Sequence, residues 1–313
     1  MVAPRPLTVC DIACASDEAY LPHGATMVHS AIASRGDTSV RIHYLHGPEL
    51  AADGKRKLAE MVERDGGEIS FLEVPDAWVD PLPMIGSVGK PIWYTLFLPR
   101  LLPDLERVLY LDVDAIVLDS LRPLWEIDFG DCHLAAVTNV FESYYAHRPV
   151  ALGLSGPEEF FNAGMMLLNL DSMRREDCSE ALLRFAREQP DLIWHDQDAF
   201  NGVLASSRLA LHPRWNAMNS LYLFPWSDEV YGRSTAEEAR RNPAIRHFEG
   251  PSVNKPWHFL CERETRELYF RHRRRTPWPR CRREGVTPAN VLRRLRRDVL
   301  GRPTPPVPPW VRP

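Results

Sequence analysis

The chain has 313 residues, of which 44% are hydrophobic and 26% are charged, and its formal net charge is −4. These values suit one large α/β domain with an appendage, and they exclude a chain too polar to bury a core. No stretch of about 18 apolar residues occurs, so the sequence predicts no membrane-spanning helix. The apolar run at 7–15 contains Thr8 and Asp11, and it is too short and polar to predict a signal peptide.

Charge and cysteines are unevenly placed along the chain. From Arg271 onward there are thirteen arginines and only two acidic residues, Glu284 and Asp298. A basic tail on an acidic body favours contact with an anionic surface. The six cysteines follow neither a disulfide nor a zinc spacing, so we expect free thiols in a reducing compartment.

The first 135 residues alternate between segments typical of strands and of helices. Strands are predicted at 7–15, 40–45, 68–74 and 107–111. Helices are predicted at 24–33, 49–64 and 92–102, with a Pro- and Gly-rich loop at 80–91. This alternation predicts a mostly parallel sheet flanked by helices. Ligands bind such sheets at the carboxyl ends of the strands.

Beyond residue 128 the pattern becomes mixed. Strands are predicted at 132–138 and 164–170, and helices at 171–189 and 196–204. A short basic segment follows at 290–300, and the proline-rich piece at 303–313 is predicted to be disordered or extended. We therefore predict a body over 1–265 and a basic, proline-rich extension over 266–313.

The most informative local sequence is RVLYLDVDAIVLDS at 107–120, where an apolar strand ends at Asp112 and Asp114, with Val113 between them. A bend after the strand can bring both carboxylates to one hard cation. Mg²⁺ and Mn²⁺ prefer such oxygen ligands and leave positions open for phosphates. A bound cation would neutralise a diphosphate and make it a better leaving group.

Two other interpretations of this stretch remain open. The two carboxylates can stand in a surface turn without a metal. The pattern also resembles the opening motif of haloacid-dehalogenase phosphatases, where the first Asp is a covalent nucleophile. That family usually begins with this motif, whereas here about 105 residues precede it and no convincing later acidic pair follows.

Three more sequences carry candidate chemistry: FFNAGMMLLNL at 160–170, WHDQDAFNG at 194–202 and RHFEGPSVNKPWH at 246–258. The glycine after Asn-Ala lets backbone approach a ligand closely. The acidic pair around Gln197 begins a helix, where one carboxylate can act as the N-cap. His247 offers an imidazole and Lys255 a point charge for phosphate. Taken singly, these are also an ordinary strand start, a helix cap and a core histidine.

In order, DxD, FNAG, DQD and H-x-x-G followed by KPW resemble the family 8 retaining glycosyltransferases, over residues 7–258. That family includes bacterial lipopolysaccharide galactosyl- and glucosyltransferases and, more distantly, glycogenin. The resemblance implies the GT-A fold. It also implies transfer of a hexose, galactose or glucose, from a UDP-sugar to a carbohydrate acceptor such as a cell-envelope glycan.

The resemblance also implies roles for individual residues. The metal, Mn²⁺ or alternatively Mg²⁺, would be bound by Asp112, Asp114 and His247. The nucleotide would be bound by Ala15, Asp17, Tyr20, Val113, Gly250 and Lys255, with Asp17 at the base edge, Tyr20 on the ring and Gly250 and Lys255 at the diphosphate. The transferred sugar would be surrounded by Asn162, Asp196 and Gln197.

The mechanism and the exact activity stay open at this point. Front-face attack beside Gln197 competes with a covalent intermediate on Asp196. Thr95 stands where the family usually has an Arg, Asn139 where it often has an acid, and the turn before Lys255 is two residues longer. Alternative functions are a sugar-nucleotide hydrolase, a silent sugar-nucleotide binder, or a glycogenin-like enzyme that glucosylates its own tyrosine. Candidate acceptor tyrosines are Tyr222, Tyr231 and Tyr269.

The basic tail has three interpretations: a solvated extension, a nucleic-acid contact, or a contact with an anionic membrane. No nucleic-acid-binding fold accompanies the arginines, so we expect no nucleic-acid partner. Apolar residues between the arginines, such as Val291 and Leu295, favour a membrane surface. The resulting expectation is a cytoplasmic enzyme that is peripheral on the inner face of the membrane.

Overall fold

The computed structural model describes residues 8–84, 86, 89–189, 191–280 and 283–300, with side chains in the last helix described through Arg296. The sequence-based expectations for the proline-rich piece at 303–313 lie outside the described residues. So does the first residue of the strand predicted at 7–15.

A mixed sheet forms the centre of the fold. The described strands are β1 (Thr8–Ala15), β2 (Thr38–His46), β3 (Glu68–Glu73), β4 (Arg107–Leu111), β5 (Ala115–Val117), β6 (Leu134–Thr138), β7 (Phe161–Asn169), β8 (Arg208–Ala210) and β9 (Ile245–His247). Seven of them pair in the order β3-β2-β1-β4-β7-β6-β8, and β5 pairs with β9 in a separate ribbon. Within the larger sheet β7 is antiparallel to both of its neighbours, while the other pairs are parallel.

Helices cover both faces of this sheet. The described α-helices are α1 (Leu21–Ala33), α2 (Ala52–Arg64), α3 (Asp76–Val79), α4 (Leu98–Leu101), α5 (Arg122–Trp125), α6 (Arg148–Ala151), α7 (Leu170–Arg175), α8 (Cys178–Glu188), α9 (His195–Leu204), α10 (Asn219–Leu223), α11 (Ser227–Tyr231), α12 (Arg233–Arg241), α13 (Arg263–Arg273) and α14 (Pro288–Leu300). Successive residues of β1 point to opposite faces, so Ile12 joins one core and Ala13 the other. Burial on both faces explains the nearly continuous apolar strands.

The predicted mixed, mostly parallel α/β fold is confirmed, but two predicted helices differ from the structure. The segment at 92–102 is a 3₁₀ helix, Lys90–Phe97, followed by α4. Pro99 lacks a backbone N–H and would clash with the preceding turn of a continuous helix. The helix predicted at 171–189 is split into α7 and α8 at Asp177, which has a φ of 50°.

The reversal of β7 positions the candidate site. Leu111, the last residue of β4, pairs with Met165 near the start of β7. The next backbone N–H, of Asp112, donates to the Gly164 carbonyl at 2.8 Å. The beginning of β7 therefore lies at the same edge as the carboxyl ends of β1 and β4, and it brings the FNAG motif beside the DxD motif.

The helix α13 packs on the body of the protein. Tyr269 is 1% exposed, and its hydroxyl lies 2.7 Å from the ring nitrogen of His23 in α1. The boundary predicted between residues 265 and 266 falls inside this helix. Because Tyr269 and Arg273 are buried, we propose that the body extends through α13 and that the extension begins after it.

The segment after α13 returns to the body. The backbone of Glu284 exchanges hydrogen bonds with that of Trp257 and Phe259, at 3.2 and 2.9 Å. In α14, the guanidinium of Arg294 donates to the Phe259 carbonyl at 2.7 Å and lies over the Phe259 ring. The short basic segment predicted at 290–300 is therefore part of a helix tied to the body close to Trp257.

Two further expectations concern cysteines and membrane-spanning helices. Cys10, Cys14, Cys132 and Cys178 carry free thiols. In the part of the chain that the structure describes, no helix combines the length and the apolar character needed to cross a bilayer.

Candidate active site

The three predicted metal ligands meet at one point. Asp112 follows β4, Asp114 precedes β5, and His247 ends β9. Pairing of β5 with β9 aligns Ala115 with His247 and so brings Asp114 and His247, which are 133 positions apart in sequence, into contact. One ligand atom from each of Asp112, Asp114 and His247 lies within 4.8 Å of the others, and the described residues contain no second group of this kind.

Two atoms of this cluster lack hydrogen-bond partners. Asp114 Oδ1 and His247 Nε2 are both buried and make no hydrogen bond, although they lie 3.1 Å apart. His247 Nε2 is also 3.6 Å from Asp112 Oδ2. Buried polar atoms without a partner are rare because they cost free energy. Two carboxylates and an imidazole nitrogen converging in this way fit a divalent cation such as Mn²⁺.

The two carboxylates of the cluster have different electrostatic surroundings. Burial and the negative charge of Asp114 raise the pKa of Asp112. Burial alone would raise the pKa of Asp114 too, but the positive charges of Lys255 and His247 outweigh it and hold that pKa well below its usual range. The ammonium of Lys255 forms an ion pair with Asp114 Oδ2. Asp114 is therefore ionised and already paired with positive charge.

The sequence predicted that Gly164, the glycine of the FNAG motif, lets backbone approach a ligand, but it did not predict the contact of Gly164 with the metal ligands. A Cβ at this position would lie 2.3 Å from His247 Cε1 and 2.5 Å from Asp112 Oδ2. No side chain fits there while the cluster keeps its shape. The available signal was a glycine inside an otherwise apolar strand, which marks a close approach, but the sequence did not show what approaches it.

A chain of amide groups lies beside the cluster. Asn162 donates from Nδ2 to Gln197 Oε1 at 2.9 Å, and the Ala163 N–H donates to the same oxygen at 3.1 Å. The Gly164 N–H and Asn216 Nδ2 donate to Asn162 Oδ1 at 3.1 and 2.8 Å. Because a backbone N–H can only donate, these bonds orient both side-chain amides. The oxygen of Gln197 is engaged, so its NH₂ group is the part that can donate to a ligand.

Asp196 lies next to this chain and is 8% exposed. Its carboxylate accepts from the Gln197 N–H at 2.8 Å and from the Thr95 hydroxyl at 3.3 Å. Burial, and then the charge of Asp112, raise the pKa of Asp196 well above its usual value. Thr95, which stands where the family usually has an arginine, is thus in direct contact with a predicted sugar-site residue and supplies a hydroxyl there.

The third residue of the DQD motif has a supporting role. Asp198 is fully buried and pairs with the guanidinium of Arg148 at 2.7 Å. The same carboxylate accepts from the backbone N–H groups of Ile193 and Trp194 at 2.7 and 2.9 Å. It therefore fixes the chain just before α9, which positions Asp196 and Gln197. Arg148 could not be linked to this site from sequence.

Three of the predicted nucleotide residues, Ala15, Asp17 and Tyr20, lie at or just after the end of β1. Pairing of Ala13 with Tyr110 sets the ends of β1 and β4 side by side, so Ala15 lies near Asp112. Asp17 accepts from the Tyr20 N–H at 2.9 Å. The Tyr20 ring is 41% exposed and meets the Trp257 ring edge-on at 6.2 Å.

The remaining predicted nucleotide residues lie in two loops. Val113 separates the two carboxylates and is partly buried against the core. Gly250 has a φ of 87°, a left-handed value that favours glycine. The 3₁₀ turn Ser252–Asn254 accommodates the longer loop before Lys255, and Lys255 still reaches Asp114.

We expect Gly164→Ala to weaken Mn²⁺ binding by at least about tenfold, equivalent to ~1.4 kcal/mol, because the added methyl group displaces His247 or Asp112. Isothermal titration of the full chain with Mn²⁺ measures this. Gly130→Ala is the control for a glycine substitution that strains the backbone away from the site, since Gly130 has a φ of 54° and a Cβ there meets no atom within 4 Å. Equal Mn²⁺ affinity of Gly164→Ala and the wild type would contradict the proposed position of the metal.

Comparison with known proteins identifies the family. The sequence profile of glycosyl transferase family 8 matches residues 11–261. General stress protein A of Bacillus subtilis is 31% identical over 274 residues, covering 85% of this chain and 93% of its own. The lipopolysaccharide 1,3-galactosyltransferase of Salmonella typhimurium is 27% identical over 56% of this chain and 51% of its own length.

Solved structures agree with this result. The galactosyltransferase LgtC, determined with donor and acceptor sugar analogues, superposes with a TM-score of 0.76 at 28% identity, over 85% of this chain and 96% of that one. The predicted family and the GT-A fold are thereby confirmed. The chain belongs to glycosyl transferase family 8 and is a glycosyltransferase.

Proposed function

We propose that this glycosyltransferase is a metal-dependent, retaining hexosyltransferase. In this proposal it moves galactose or glucose from a UDP-sugar to a carbohydrate acceptor, in particular a cell-envelope glycan. The observation that carries the proposal is the Asp112–Asp114–His247 cluster, whose unpartnered atoms converge beside Lys255 and the amide chain. The similarity to a lipopolysaccharide galactosyltransferase supports the choice of sugar and acceptor.

Asp112, Asp114 and His247 would hold Mn²⁺ or Mg²⁺, which when bound supplies positive charge to the leaving diphosphate. Lys255 adds a second positive charge at the same place. Gly250, with its left-handed backbone, allows a phosphate to approach the main chain. Tyr20 offers an exposed ring face for the uracil base, and Asp17 offers a carboxylate to the base edge.

On the sugar side, Gln197 and Asp196 have different properties. The NH₂ group of Gln197 can donate to an oxygen near the anomeric carbon. Asp196 is buried, and both its oxygens accept hydrogen bonds, which engages the lone pairs that a nucleophile would use; burial also raises its pKa. These properties support front-face attack, in which the leaving diphosphate accepts the acceptor's proton, over a covalent intermediate on Asp196.

The three tyrosines considered as acceptors for self-glucosylation differ in exposure. Tyr269 is 1% exposed and cannot serve as an acceptor in this fold. Tyr231 donates to the Thr138 carbonyl at 2.6 Å, whereas Tyr222 is 40% exposed. We retain transfer to a separate acceptor because Tyr269 is buried and the hydroxyl of Tyr231 is engaged by the backbone.

The basic tail is proposed to hold the enzyme on the anionic inner face of the membrane, with the body in the cytoplasm. Leu292 and Leu295 of α14 are 49% and 54% exposed, and Arg293 and Arg296 beside them are exposed too. Each arginine near an anionic surface contributes about 1 kcal/mol. The free thiols of Cys10 and Cys14 suit a reducing compartment.

The donor site is tested by thermal shift with Mn²⁺ and UDP, GDP, ADP, CMP or dTDP. UDP at a hundred times its Kd should stabilise the fold by about 2.7 kcal/mol, and only when Mn²⁺ is present. Asp114→Asn should abolish this shift, because it removes a ligand charge. If no nucleotide shifts the melting temperature of folded protein, the proposed activity is wrong.

Lys255→Ala should change metal and nucleotide affinity in opposite directions. Removing the ammonium leaves Asp114 unpaired, so Mn²⁺ alone should bind about tenfold more tightly, a gain of ~1.4 kcal/mol. UDP with saturating Mn²⁺ should bind more weakly, because a phosphate contact is lost. Calorimetric titrations measure both affinities. The control is Lys90→Ala, which breaks ion pairs with Asp76 and Asp80; the same response in both variants would contradict a specific role for Lys255.

Flotation with vesicles tests the tail. The double variant Arg293→Glu, Arg296→Glu should lose the binding to vesicles of phosphatidylcholine and phosphatidylserine that the wild type shows. Vesicles of phosphatidylcholine alone should bind neither the wild type nor the variant. The matched control is Arg233→Glu, Arg241→Glu in α12, which makes the same change in net charge on exposed residues. Equal flotation of both double variants would refute attachment through α14.

A further inference from the structure

We propose that Asn216 is a positioning residue that fixes the tautomer of neutral His247 and couples the metal ligands to the sugar-binding amides. This inference rests on the proposed function. Asn216 lies in the turn Pro213–Asn216 and contacts both halves of the candidate site. Its Oδ1 is 3.0 Å from His247 Nδ1, and its Nδ2 donates to Asn162 Oδ1 at 2.8 Å.

The direction of these hydrogen bonds follows from the backbone. The Gly164 N–H can only donate, so the Asn162 atom that it meets must be the oxygen. The Asn216 atom facing that oxygen must then be its NH₂ group, which turns the Asn216 oxygen toward His247. An amide oxygen can only accept. Nδ1 of His247 is therefore protonated, and in the neutral imidazole the lone pair of Nε2 is directed at the aspartates.

Burial makes this arrangement difficult to replace. Asn216 is 0%, His247 2% and Asn162 6% exposed, so bulk water does not reach the three side chains. The backbone beside Asn216 is also fixed, because the Ala217 N–H donates to the Ile245 carbonyl at 2.8 Å and the Ala217 carbonyl accepts from the His247 N–H at 3.1 Å. The side chain is thus held from both ends, as a buried polar network requires.

The consequence is that one residue serves two functions. Toward His247, Asn216 acts as the acceptor that orients a metal ligand. Toward Asn162, it acts as the donor that completes the amide chain leading to Gln197. Two substitutions separate these functions. Asn216→Asp keeps an acceptor for His247 but sets an oxygen against Asn162 Oδ1, whereas Asn216→Ala removes both contacts.

The expected results differ between the two variants. Asn216→Ala should bind Mn²⁺ about 10- to 100-fold more weakly than wild type, the usual effect of losing a partner of a metal-bound histidine. Asn216→Asp should bind Mn²⁺ at least as tightly as wild type, yet its kcat for sugar transfer should fall while Mn²⁺ stays saturating. A role limited to folding would lower stability without this split between Mn²⁺ affinity and kcat.

The measurements use the full chain. Mn²⁺ affinity without nucleotide is measured by electron paramagnetic resonance, folding by circular dichroism, and the His247 tautomer by ¹H–¹⁵N spectra of the imidazole in metal-free protein at alkaline pH. Asn219→Ala is the control, since Asn219 is buried in the next helix and contacts Arg246 and Glu249 instead of His247. Its Mn²⁺ affinity should equal that of wild type.

The outcomes separate this inference from the proposed function. A proton on Nε2 of His247 in wild type, or unchanged Mn²⁺ affinity in folded Asn216→Ala, overturns the inference. If Asn216→Ala does not fold, reduced Mn²⁺ affinity in Asn216→Asp overturns it instead. Wild type that binds Mn²⁺ but neither binds UDP nor transfers sugar would overturn the proposed function and leave the tautomer and Mn²⁺ results to decide on Asn216.

Discussion

Two carboxylates held side by side, of which Asp114 is largely buried, must be compensated by positive charge, and much of the site follows from this constraint. Asp112 and Asp114 are brought together by a bend between β4 and β5, and His247 and Lys255 lie against them. The loop carrying Lys255 has to return to this point, β9 has to pair with β5, and Gly164 has to lack a side chain. Charge compensation and close packing at the cluster thus link residues spread over some 140 positions of the chain.

A second constraint is the orientation of amide groups. Asparagine and glutamine side chains can rotate to present either their donor or their acceptor. A site built from them is therefore specific only if neighbouring groups fix the orientation of each amide. Here the backbone N–H groups of β7 fix these orientations, because they donate to the side-chain oxygens of Asn162 and Gln197. Because β7 runs against its neighbours, these N–H groups lie at the ligand-binding edge of the sheet. The antiparallel direction of β7 therefore determines the direction of these hydrogen bonds, and with it the orientation of the Gln197 amide.

Much of this arrangement could be predicted from the sequence. Apolar runs with turn residues between them located β1 to β4 to within a few residues, because strands buried on both faces leave a strong pattern. The order of the DxD, FNAG, DQD and HxxG motifs identified the family. Asn216, Arg148 and the exact role of Gly164 could not be found, because their contacts join segments distant in sequence and each residue type is common alone. The split of the helix at Asp177 was missed because a single left-handed residue has no periodic signature.

The short pairing of Glu284 with the segment from Trp257 to Phe259 has a geometric consequence. Lys255 is only two residues before that pairing, and α14 follows shortly after it. If α14 rests on a surface, no long linker separates that surface from Lys255, the residue proposed to bind the diphosphate, so the distance between the surface and the candidate site is fixed. Such an enzyme would select acceptors by the distance of their reactive hydroxyl from the surface as well as by the identity of their sugar.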